Sequence, residues 1–75
     1  MTVSMKPVYS SHIHSIGYDQ DSQSLHVTFL RDGGPGRTVV YGGVPAVIGS
    51  QVISAPSIGD ALHALVRGRY PHRYL

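Results

Sequence analysis

The hydrophobic period changes once along this chain, at the Gly42-Gly43-Val44-Pro45 junction, and the change orders strands before helices. Ahead of it, Leu25, Val27 and Phe29 alternate with Ser24, His26 and Thr28. Residues 24–30 therefore form a strand with one buried face. Residues 11–18 read as an earlier strand, although Ile13 and Ile16 break strict alternation. Asp19-Gln20-Asp21-Ser22 between them is turn chemistry, because short polar side chains bond their own backbone. Gly33-Gly34-Pro35-Gly36 reads as a hairpin loop leading to a third strand over residues 37–44, with Val39 and Tyr41 on one face and Thr38 and Val40 on the other.

Beyond the junction the spacing becomes helical. Pro45 suits a first helical position. Ile48, Val52 and Ala55 make a stripe that ends before Pro56, with Gly49 weakening the helix by about 1 kcal/mol. Ser57 is placed to cap a second helix, with Asp60 three residues on. Ile58, Leu62, Leu65 and Val66 form its apolar face, and Gly68 stops it. The expected fold is α+β: a three-stranded antiparallel meander followed by two short helices packed on one face, in the order β-β-β-α-α. Residues 1–9 read as a flexible lead-in, because Pro7 disfavours helix at Lys6. Residues 10–75 read as the single domain.

Composition narrows the function classes. Hydrophobic residues are 41% of the 75 and charged residues 13%, which excludes a disordered chain. The absence of cysteine excludes disulfides, a thiolate nucleophile and cysteine zinc sites. No apolar run has the length of a membrane span and no signal-peptide pattern opens the chain, so a soluble cytoplasmic protein with no membrane partner is expected.

Catalytic and cofactor chemistry find little support. The glycine-rich stretch precedes a strand rather than a helix and lacks Gly-Lys-Ser/Thr, so it reads as a turn and not a phosphate loop. His12 and His14 share a face of the first strand, and a hairpin with Ile16 opposite His26 would add His26. No carboxylate completes that face, and these histidines read as solvent-facing rather than as a metal site. There is no glutamate and no nucleophile-elbow motif, and turns or a helix start account for the four aspartates. The expectation is a protein that is not an enzyme and carries no cofactor or metal.

Charge points elsewhere. Up to residue 66 the chain holds three basic and four acidic residues, a balance of −1. Residues 67–75, RGRYPHRYL, hold three arginines and no acid, a balance of +3. Guanidinium groups fork onto phosphate, and tyrosine rings stack on unpaired bases. Arg37, Tyr41, Arg67, Arg69, Tyr70, His72, Arg73 and Tyr74 are therefore the candidate nucleic-acid-binding residues. The competing expectation for Tyr70 is that it packs back onto the sheet.

The ordered pieces resemble a known family. They are Ser10-Ser11-x-Ile13-x-x-Ile16-Gly17-Tyr18-Asp19, Leu25-x-Val27-x-Phe29, Tyr41-x-Gly43-Val44-Pro45, Ser54-Ala55-Pro56-Ser57-x-Gly59 and Arg67-x-x-Tyr70-Pro71-x-Arg73. Together they resemble the KTSC domain, found at the C-terminus of some lysyl-tRNA synthetases and as stand-alone bacterial and phage proteins. The resemblance implies the fold and, as a suggestion for the family, RNA binding. Two positions depart from the family pattern: Val39 replaces the first tyrosine of a Tyr-x-Tyr pair, and Ile58 stands where lysine is frequent. The leading expectation is an RNA-binding accessory domain. The alternative is a phage or prophage protein-interaction module that binds a host factor, or a homodimer through a sheet edge.

Overall fold

The computed structural model describes residues 5–8 and 12–75. Strands β1 (Lys6–Pro7), β2 (Ile13–Asp19), β3 (Ser24–Arg31) and β4 (Gly34–Tyr41) come first. Helices α1 (Ala46–Ile53) and α2 (Ile58–Leu65) follow, and strand β5 (His72–Tyr74) comes after them. The sheet has five strands in the order β1-β2-β3-β4-β5, every neighbouring pair antiparallel. The α+β class and the central meander are as expected. The sheet is two strands wider.

Both additions are edge strands. The expected lead-in contains β1, where Lys6 pairs with Ile16 and Pro7 with Ser15; residues 1–4 and 9 lie outside the described part. At the opposite edge, His72 pairs with Tyr41 and Tyr74 with Val39. Gly42 N–H donates to the Pro71 carbonyl at 2.9 Å and Leu75 N–H to the Thr38 carbonyl at 2.9 Å, closing both ends of that ladder.

Two local readings change. The β3–β4 loop is only Asp32-Gly33, both with positive φ (52° and 79°), the conformation that a two-residue hairpin turn requires. Gly34, Pro35 and Gly36 already belong to β4. Pro35 is tolerated because β5 pairs only with residues 39–41, so this end of β4 is itself an edge. A register shift between Ile13 and Ser15 explains how Ile13 and Ile16 both face the core.

The core lies between one sheet face and the two helices. Ile13, Ile16, Leu25, Val27, Val39 and Tyr41 meet Val44, Val52, Ile58, Leu62 and Val66 there. Ile58 is 8% exposed, so a position where the family frequently has lysine is part of the core in this chain. Ser57 takes the N-cap position of α2, but its side chain makes no cap hydrogen bond, so the expected capping box does not form. Pro45 is the N-cap of α1 rather than its first residue. Gly68, at φ 82°, terminates the turn after α2 as expected.

The other sheet face carries short polar residues. Thr28 and Thr38 share a hydroxyl hydrogen bond of 2.7 Å. Val40 is only 3% exposed although no helix covers it. Its cross-strand neighbours are His26 on one side and Arg73 on the other, and they shield it. Among the described residues, no helix is long and apolar enough to cross a membrane.

Candidate nucleic-acid interface

Docking of β5 builds the site. α2 stops at Val66, and Tyr70 N–H donates back to the Val66 carbonyl at 3.2 Å, which turns the chain toward the sheet. Pro71 then holds the backbone extended. The result is a concave groove of about 760 Å³ between the residues after α2, β5 and the uncovered end of the core face of β4.

Seven of the eight residues expected from sequence line this groove: Arg37, Tyr41, Arg67, Arg69, Tyr70, His72 and Tyr74. Phe29 and Val39 complete its apolar floor. Among the described residues, three arginines line it and no carboxylate does, so the ionised groups of its wall are cationic. The eighth residue, Arg73, is displaced. It pairs with Val40, and strand alternation turns it to the opposite sheet face, beside Ser24 and Gly42.

The side chains within the groove are ordered. Arg37 lies over the Tyr74 ring, its guanidinium carbon 4.5 Å from the centroid, a cation–π contact. His72 meets Tyr74 edge to face at 5.7 Å and Tyr41 at 6.0 Å with a tilt of 47°. Arg69 donates from Nε to the Ala64 carbonyl at 3.1 Å, which ties the side chain to the end of α2. Its terminal amino groups remain for a ligand.

The aromatic residues divide by burial. Tyr74 is 57% exposed and offers a ring surface. Tyr41 is 5% exposed, so it belongs to the core and has no free face for stacking. Burial pushes the Tyr41 hydroxyl above the usual tyrosine range, with Arg67 opposing and Tyr74 adding to the effect. Tyr70 is half-buried against the core, as its competing reading held. Val39, in place of the first tyrosine of the family pair, is also a core residue.

Other candidates separate. His26 stands opposite Gly17 rather than Ile16, so the imagined three-histidine face does not assemble. Among the described residues, no three His, Cys, Asp or Glu gather to hold a metal ion. The motif Ile16-Gly17-Tyr18-Asp19 has a structural role. Tyr18 Oη donates to the Val44 carbonyl, joining β2 to the strand–helix junction. Asp19 accepts from Ser22 Oγ at 2.9 Å and from the Asp21 amide at 3.1 Å, and the bond from Ser22 leads in holding its carboxyl below the usual range.

The match to the KTSC domain family model runs over residues 9–70, most of the chain. The chain belongs to the KTSC domain family. A crystal structure of a KTSC domain protein from Yersinia pestis is similar to it throughout, with a TM-score of 0.86 and 35% identity over 99% of each chain. No curated protein matches. The KTSC match ends just before Pro71, so β5, which supplies His72 and Tyr74 to the groove, lies beyond it.

Proposed function

We propose that this KTSC protein is a small RNA-binding accessory domain of the cytoplasm that acts by binding alone. Arg37, Arg67 and Arg69 hold phosphates, and the exposed ring of Tyr74 stacks on an unpaired base. The observation that carries this reading is the groove free of acids, where three arginines surround aromatic side chains on a chain whose net charge is only +2. The positive charge is concentrated where the rings are, which is the pairing that single-stranded nucleic acid needs.

The test is a titration of isotope-labelled protein with mixed tRNA and short single-stranded RNA, followed by amide shifts at low and moderate salt. Shifts at Arg37, residues 67–70, His72 and Tyr74 that fade with salt are expected. Replacing Arg67 and Arg69 together by glutamine should lower the salt slope for single-stranded RNA by about 1.4, roughly 0.7 for each lost phosphate contact. An absence of shifts at low salt overturns the reading. The outer edge of β5 then favours the protein-interaction alternative, in which a partner or a second copy adds a strand and the complex survives moderate salt.

A further inference from the structure

A second concavity of about 470 Å³ lies beside the groove. Phe29 and Arg67 line both, so together they form the ridge between them. The two hollows differ in charge. The groove adds Arg37 and Arg69, whereas the second hollow adds Asp60, His12 and His63. Among the described residues, Asp60 is the only carboxylate lining either one.

We infer that the two concavities hold two successive nucleosides of one unpaired RNA strand, with the linking phosphate on Arg67 and a guanine on Asp60. This rests on the RNA-binding reading of the groove. Arg67 is the one cation common to both hollows, so a strand crossing the ridge brings its phosphate there. Asp60 repels a further phosphate, so the second hollow receives a base. Both volumes fall within the range of small-ligand sites, about 300–1,000 Å³. A duplex keeps its bases stacked inside and presents none to either hollow. An ionised carboxylate only accepts hydrogen bonds and takes two parallel donors well. Among the bases, guanine alone offers two adjacent donors on its pairing edge, the ring N–H and the exocyclic amino group.

The test is fluorescence anisotropy at low salt with labelled hexauridine, with hexamers carrying a single guanine, adenine or cytosine among uridines, and with a short RNA duplex. The guanine hexamer should bind about tenfold tighter than hexauridine, the lower part of what one bidentate base contact supplies. Asp60→Asn should remove that preference, while hexauridine binds at least as tightly as before, because a negative charge beside the Arg67 phosphate is gone. Asp60 is exposed, and a melting curve checks that the variant folds. Arg67→Gln should weaken every hexamer alike. Equal binding of all four hexamers overturns the subsite assignment while the RNA reading stands. So does a guanine preference that survives Asp60→Asn, or a duplex that competes as well as the guanine hexamer. Failure of every RNA to bind removes the RNA reading itself, and the inference with it.

Discussion

Gly49 shows how a residue that weakens an isolated helix can be required by the packed one. A β-carbon built there would lie 2.7 Å from Cδ1 of Tyr18, nearer than real β-carbons approach. The ring has little room to give way, because its hydroxyl is tied to the Val44 carbonyl. Gly49→Ala should therefore destabilise the fold despite a helix-propensity gain of about 1 kcal/mol, since overpacking a core costs about 1–3 kcal/mol. A thermal melt should show a drop in Tm where propensity alone predicts a rise. His26 supplies a second residue-scale prediction. Burial on the uncovered sheet face holds its pKa below the ordinary 6.5; Asp19 opposes this and Arg73 reinforces it. The unfolded chain then binds a proton more readily than the folded one. The stability contributed by keeping His26 neutral is present above about pH 6.5 and is lost as pH falls toward the folded value. Tm measured at pH 7.5 and 5.5 should fall with acidification, and His26→Gln should fall less.

The elements with buried faces were legible in the residues, and the two without were not. β3, β4 and both helices bury side chains at the spacing their period demands, as Leu25-x-Val27 and Ile58-x-x-x-Leu62 show, whereas β2 places Ile13 and Ile16 on the core face through a register shift. β1 and β5 expose every residue, and what places them is backbone pairing, which leaves no periodic trace. The same cause explains the candidate site. Arg67, Arg69, Tyr70, His72 and Tyr74 are nearly contiguous in sequence and stand out as a cluster, whereas Arg37 and Tyr41 join them from β4. Arg73 falls among them in sequence, because alternation separates neighbours only where the segment is a strand. Phe29 carries no sequence signal as a groove residue, because its place in the β3 alternation assigns it to the core. The element-scale prediction concerns β5, which adds two ring-bearing side chains to the groove and no buried residue. Ending the chain after Pro71 should preserve the circular dichroism of sheet and helices and lower Tm by several degrees, at roughly 4–8 °C per kcal/mol. RNA affinity in an anisotropy titration should fall by about tenfold or more, as expected when a stacking contact of about 1–3 kcal/mol is removed.

The whole molecule measures 31 × 26 × 20 Å and presents two unlike faces. The helices and the arginine groove share one, and Thr28 and Thr38, with Val40 between His26 and Arg73, lie on the other. What joins groove to scaffold is the β4–β5 ladder, and its partners are distant in sequence. Tyr41 and His72 pair across both helices, whereas β2–β3 and β3–β4 pair across tight turns. With both helices packed on the sheet, β5 is a terminal segment, and its docking orders only the last few residues. No β5 residue is itself buried, so backbone pairing, the Arg37–Tyr74 contact and the cover given to Val40 are what hold the segment. A segment held in this way belongs among the first to detach in native-state fluctuations. Arg37 then loses Tyr74, and the groove loses a wall, without the domain unfolding. Under the proposed RNA-binding function, the binding-competent form is the docked fraction of the population, and the apparent affinity is the intrinsic affinity scaled by that fraction. Strand and ligand stabilise one another, so a substitution that strengthens β5 docking while touching no nucleotide tightens binding as surely as an added arginine does.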